Sequence, residues 1–138
     1  MADKDCLFCK ISNGEIPSAT IYEDNDFRVI LDISPASKGH ALIIPKEHFQ
    51  DIFDIDALTA GKLFSLATEV ARAMKAVLQC DGMNIVQNNG LVAGQTVFHF
   101  HLHLIPRYEG DDVNLGWPQH EANAEENQEL AREIRKRI

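Results

Sequence analysis

Three histidines, His99, His101 and His103, alternate with Phe100, Leu102 and Leu104 inside the stretch "GQTVFHFHLHLIPR". The chain has six histidines, so half of its imidazoles fall in this one run. An imidazole does two kinds of chemistry at such density. It can ligate a metal, or, when neutral and tethered through one ring nitrogen, it can attack with the other. On a strand, successive side chains point to opposite faces, so the three histidines share one face at intervals of about 6 to 7 Å. That interval lets two of them straddle a phosphate-sized group with the middle one aimed at its centre. A catalytic zinc would ask for three protein ligands and an open position. Gly94, Gln95 and Thr96, just before the run, supply a flexible backbone, an amide and a hydroxyl suited to phosphate oxygens. Carboxylates, which a metallohydrolase usually adds, do not sit close to the run in sequence.

A second constellation lies near the N-terminus. "CLFC" is a C-x2-C pair, Cys6 and Cys9, which reads either as half of a zinc site or as a redox pair. Cys80, at the end of a long amphipathic segment, reads as a buried apolar filler.

The elements that must position these residues follow from periodicity. Residues 5–13 read as a short helix capped by Asp5 and ended by Gly14, with Phe8 and Ile11 on one side. "TIYEDND" and "FRVILD" read as strands joined by a turn at Asp24-Asn25-Asp26, and "HALIIP" as a third strand that Pro45 interrupts. Residues 56–79 read as the long helix, capped by Asp56, with Leu63, Ala67, Val70, Met74, Val77 and Leu78 at 3.6-residue spacing. "MNIVQN" is a fourth strand and "VFHFHLHLIP" a fifth. From Asn123 a last helix is expected, with Asn123 and Glu126 as a capping box and an apolar stripe of Leu130, Ile134 and Ile138 that needs a partner surface. Five strands around one long helix predict an α+β domain with a mainly antiparallel sheet.

Composition bounds the function. At 138 residues, with 45% hydrophobic and 25% charged residues, the chain reads as a single globular domain over 1–138. A net charge of −8 argues against a general grip on nucleic acid, though not against a single nucleotide. No apolar run approaches a membrane span, and "MADKDCLFCK" lacks the apolar core of a signal peptide. A cytoplasmic protein is expected, with neither nucleic-acid nor membrane partners.

The run His99-Phe100-His101-Leu102-His103-Leu104-Ile105 resembles the signature of the histidine-triad (HIT) family of nucleotide hydrolases and transferases. The resemblance extends through "CLFCKISNGEIP", "ILDISPASKGHALIIPKEH" and "NIVQNNGLVAGQTVFHFHLHLIPR", about residues 6–107, leaving 108–138 as a C-terminal extension. It implies a homodimer whose five-stranded sheets join, a purine nucleotide substrate, and a nucleotidyl-histidine intermediate. His101 would be the nucleophile, His103 would contact the phosphate or the bridging atom, and His40 would complete the group. Gln95 and Thr96 would hold the phosphate and help protonate the leaving group, and Asn88 would reach toward phosphate or ribose. Asp32 would accept hydrogen bonds from the ribose, while Phe8, Ile11, Ile16, Ile30 and Ile33 would form the slot for the base. For the cysteine pair, the resemblance implies a structural zinc held by Cys6, Cys9, His48 and His99, with no metal required for the chemistry.

Two family branches are implied, of which the phosphoramidase is the expected one and the dinucleoside polyphosphate hydrolase the alternative. "CLFCKISNGEIP" is similar to enzymes that hydrolyse purine nucleoside phosphoramidates such as adenylyl-lysine, releasing AMP. "HLHLIPRYEGD" is similar to those that cleave dinucleoside polyphosphates. Outside the family, a zinc-dependent metallohydrolase using the three histidines and a non-catalytic nucleotide-binding module are the rivals. The tail with Trp117 would either tune specificity across the dimer interface or dock on its own subunit.

Overall fold

Alternating apolar residues in the middle strands let the sheet bury both faces. In the computed structural model, which describes residues 3–138, strands β1 (Thr20–Glu23), β2 (Phe27–Leu31), β3 (Ala41–Pro45), β4 (Gly82–Val86) and β5 (Leu102–Arg107) form one antiparallel sheet. Their order across the sheet is β1-β2-β3-β5-β4. Phe27, Val29, Ala41, Ile43, Leu102 and Leu104 point to one face. There they pack on Leu63, Leu66, Ala67, Val70 and Met74 of helix α2 (Ala57–Leu78). Ile30, Leu42 and Ile44 point to the other face and meet Phe8 of the short helix α1 (Leu7–Ser12). The sheet therefore separates two apolar clusters, and the histidine face is the one that α1 covers.

The helix ends obey local chemistry. The Asp56 carboxylate accepts from the Thr59 N–H at 2.9 Å and starts α2. Gln79 closes it in the left-handed region at φ 52°. Val77, expected on the apolar stripe, is 82% exposed, beyond Met74, the last fully buried residue of the helix. Leu78, partly buried against the same core, also closes on Gly39, where an added Cβ would lie 2.4 Å from a Leu78 methyl and φ is +89°. Only glycine fits that approach, and it delivers the chain to His40.

α1 begins one residue later than expected. Its cap is Cys6, whose sulfur accepts from the Cys9 N–H at 3.3 Å, rather than Asp5. The fifth strand also begins late, at Leu102 rather than Val97. The backbone before it has other partners: the Phe100 N–H donates to the Phe49 carbonyl at 2.6 Å, away from any sheet ladder. Alternation nonetheless persists through the irregular stretch, since Phe100 joins Leu102 and Leu104 under α2.

Helix α3 (Ala124–Arg135) starts as its sequence suggests, with the Asn123 side chain accepting from the Glu126 N–H at 3.1 Å. It does not dock on its own subunit: residues 114–138 are all exposed, the stripe of Leu130, Ile134 and Ile138 included. No helix among the described residues is long and apolar enough to cross a membrane.

Candidate active site and metal centre

Antiparallel pairing of β2 and β3 sets Leu31 opposite Ala41. The next residues out, Asp32 and His40, remain joined by the Asp32 N–H to the His40 carbonyl at 2.8 Å. His103 lies on β5 between Leu42 and Val86 of the flanking strands. The His40 Nδ1 accepts the Ala36 N–H at 2.9 Å, so the proton of the neutral ring sits on Nε2. That Nε2–H donates to the His103 Nδ1 at 2.9 Å, which leaves the His103 Nε2–H as a donor. The Asp32 carboxylate lies 3.7 Å from the His40 Nε2. Burial lowers the His40 pKa despite Asp32. Burial, then the neighbouring His101 and His40, push His103 down to about 4. Both rings are neutral at pH 7, as a donor chain between imidazoles requires.

His101 is 9% exposed. Its Nδ1 stands 2.7 Å from the His99 carbonyl. A carbonyl only accepts, so Nδ1 carries the hydrogen and Nε2 carries the lone pair. Burial also lowers this pKa, opposed by the His99 carbonyl and by Asp32. The ring is wedged edge-on between Phe8 at 4.7 Å and His103 at 4.9 Å, measured between centroids. A cavity of about 480 Å³ opens in front of it. Asp32, Thr96, His101 and His103 are among the polar residues that line it, and the five apolar residues expected around the base, Phe8, Ile11, Ile16, Ile30 and Ile33, line it as well.

The other constellation adjoins it. The His99 Nδ1 lies 3.3 Å from the Cys6 Sγ, 3.4 Å from the Cys9 Sγ and 3.2 Å from the His48 Nδ1. The Cys9 Sγ is 3.4 Å from the His48 Nδ1, and all four ligand atoms fall within 4.8 Å of one another. Zinc bonds of about 2.0 to 2.3 Å at tetrahedral angles put ligands about 3.3 to 3.8 Å apart. The two-sulfur, two-nitrogen donor set fits that geometry. The His99 Nε2 faces the Pro45 carbonyl at 2.8 Å, so it carries the hydrogen and the Nδ1 lone pair turns to the sulfurs. Burial pushes the His99 pKa down to about 4, which keeps it neutral as a ligand must be. It pushes the Cys9 thiol up, partly opposed by the Asp3 N–H.

The model of the HIT domain matches residues 13–110. The chain belongs to the HIT family. A HIT family protein from Bacillus anthracis has a crystal structure with TM-score 0.92 to this one, at 46% identity over 100% of this chain and 99% of that one. An adenosine 5'-monophosphoramidase from Schizosaccharomyces pombe is 37% identical over 134 residues, 96% of this HIT protein and 98% of the relative. A zinc-bound histidine triad family protein from Mycobacterium smegmatis has TM-score 0.76 at 41% identity, over 94% and 91% of the two chains.

Two expected phosphate contacts in this HIT protein, Gln95 and Asn88, are not among the residues that line the cavity. Gln95 is buried, its Oε1 accepting from the Gly90 N–H at 2.7 Å and its Nε2 donating to the Gln50 and Val97 carbonyls at 2.7 and 3.2 Å. A buried amide must find partners, and the loop backbone supplies them, so Gln95 braces the loop. Asn88 sits beside Gly94, its amide 3.5 Å from where a Cβ there would be, and is not part of the cavity wall. Thr96 does line the cavity, while His40 stands behind His103. Among the described residues no metal-competent group combines His99, His101 and His103, because His99 turns to the cysteines. A second group, Asp32, His40 and His103, has ligand atoms as close, and the hydrogen-bond chain above accounts for it. Leu42 and Val97 also line the cavity. Alternation along "HALIIP" carries a signal for Leu42; the backbone groups of Ala36, Pro45 and His99 carry none, since any residue offers them.

Proposed function

We propose that this HIT protein hydrolyses purine nucleoside phosphoramidates, releasing AMP from adenylyl-lysine-type substrates, through a nucleotidyl-His101 intermediate. The observation that carries the reading is the His101 Nδ1–H held by the His99 carbonyl, which leaves the Nε2 lone pair beside the cavity. The base lies among Phe8, Ile11, Ile16, Ile30 and Ile33, and Asp32 accepts from the ribose hydroxyls. The His101 Nε2 attacks the α-phosphorus, the P–N bond breaks, and the amine departs with a proton from water or through the Thr96 hydroxyl. The His103 Nε2–H donates to a phosphoryl oxygen as charge builds there. Water then attacks phosphorus, AMP leaves, and neutral His101 is restored. His40 keeps His103 in its donor tautomer.

Similarity to a phosphoramidase over nearly the whole chain supports this choice of bond. The rival signal, Arg107 after the histidine run, is weakened by its partners: Arg107 grips both Asp111 oxygens at 2.8 Å and also Asn84 and the Val113 carbonyl. An arginine so engaged braces a turn rather than awaiting a second nucleotide. Zinc at Cys6, Cys9, His48 and His99 would supply a tetrahedral clip between α1 and the sheet. The exposed stripe of α3 supports a homodimer in which it packs on a second copy, readable as twice the monomer mass by light scattering.

The test is a nucleoside phosphoramidate incubated with the protein and with a His101→Ala variant, quenched and weighed by mass spectrometry. We expect a nucleotidyl adduct and AMP release with the first and neither with the second. Turnover by His101→Ala at the parent rate would overturn the assignment, and a dinucleoside polyphosphate consumed faster than the phosphoramidate would reassign the bond.

A further inference from the structure

His99 belongs to both constellations at once. Its Nδ1 stands among Cys6, Cys9 and His48, and its own backbone carbonyl receives the His101 Nδ1–H. The Pro45 carbonyl holds its remaining nitrogen, so the ring has no unengaged polar atom with which to turn. Helix α1 makes a second connection. Cys6 and Cys9 bracket Phe8, whose ring meets His101 edge-on at 4.7 Å and 83° and lies 6.2 Å from the His99 ring.

We infer that the Cys6–Cys9–His48–His99 cluster, when it holds zinc, positions the nucleophile: it fixes the His99 carbonyl and the Phe8 ring, and these hold His101 with Nε2 toward the cavity. The inference rests on the zinc and nucleophile assignments above and goes beyond a staple for the fold. His99 and Phe8 are thereby positioning residues. The physical reason lies in how little else holds α1. It has six residues, too few to persist without tertiary support. Its apolar anchorage is one small cluster, Phe8 with Ile30, Leu42 and Ile44, to which Ile11 and Val97 add partly buried contacts. The larger core, with α2, lies across the sheet and makes no use of the cysteines. Release of the ion therefore loosens the histidine face while the α2 face stays packed.

The experiment follows the His101 ring directly. Zinc-loaded protein carrying 15N-histidine is compared with protein stripped by a chelator, with far-UV circular dichroism reporting the sheet. The His101 signals are assigned by their loss in His101→Ala. We expect a single Nδ1–H tautomer in the loaded form. Stripped but folded protein should show signals shifted toward mixed tautomers, with kcat at saturating phosphoramidate lower by about 10-fold, the usual effect of losing an outer-shell support. Identical ring signals in the two forms overturn the inference, as does a protein that takes up no zinc. If stripping unfolds the chain, exchange of zinc for the larger cadmium ion decides: shifted His101 signals in the folded cadmium form support the inference, and unchanged signals overturn it. The ring signals are read without substrate. An enzyme inactive on phosphoramidates would therefore refute the reaction assignment and leave this coupling standing or falling on its own data. A Phe8→Leu variant adds a final arm, since it should shift the same signals with zinc content unchanged.

Discussion

His99 and His101 are two residues apart, both are buried, and each gives one ring N–H to a backbone carbonyl, yet they face different chemistry. His99 donates from Nε2 to Pro45 and presents Nδ1 to two cysteines and His48. His101 donates from Nδ1 to His99 and presents Nε2 to the cavity. The residue type is the same, and the position of a carbonyl oxygen selects the tautomer, and with it the role. On the thiol side the open lone pair suits coordination of a borderline metal such as zinc. On the cavity side it suits attack on phosphorus.

The comparison can be broken by disabling each of the two sites in turn. His101→Gly should lower kcat about 10⁴-fold or more, as loss of a nucleophile does, with stoichiometric zinc unchanged by elemental analysis. Zinc lost in that variant would mean that the two sites are one. Cys9→Ser should do the reverse in order of severity. We expect it to lose stoichiometric zinc and to melt roughly 10 °C lower, since removal of a structural metal ligand costs several kcal/mol. Full zinc in Cys9→Ser would remove Cys9 from the ligand set.

Gln95 sharpens the boundary between bracing and catalysis. Gln95→Ala leaves the Gly90 N–H and the Gln50 carbonyl without their partner and should cost about 1 to 3 kcal/mol in denaturant titration. Its kcat should fall by much less than the roughly 100-fold or greater loss of a direct oxyanion donor. A large fall in kcat at unchanged stability would return Gln95 to the phosphate.

The smallest effect concerns protonation of the cavity side. The folded His103 pKa of about 4 lies below the ordinary 6.5, so the unfolded chain binds the proton first. Above pH 6.5 this group contributes no pH dependence. As pH falls from 6.5 toward about 4, stability is lost, and below that the loss is complete. His40 shifts in the same direction. Thermal melts of zinc-loaded protein across that window should show a shallower decline in His103→Gln than in the parent chain, and equal slopes would contradict the assignment.

Much of this was legible in the residues. Period-two alternation placed Leu102 and Leu104 against the long helix because a strand has no other way to arrange them, and Phe100 keeps the pattern from just outside the strand. The 3.6-residue spacing from Leu63 to Met74 marked the face of α2, and Asn123 with Glu126 marked the start of α3. Val77 escaped that logic because periodicity does not say where the buried stripe stops. Gln95 escaped it because an amide binds a phosphate or a loop equally well, and only the nearby Gly90, Gln50 and Val97 backbone decides.

The sequence by itself determined the inventory: which residue types alternate, which cap, and which histidine run resembles a known signature. Tertiary structure brought "CLFC" to His48 and His99, as the resemblance implied, and alone decided that α3 stands exposed and which nitrogen of each imidazole stays open. These depend on backbone carbonyls and on contacts between residues up to 93 positions apart. Every residue carries the same carbonyl, so its placement has no letter in the sequence, and here that placement separates the histidine turned to the cysteines from the histidine turned to the cavity.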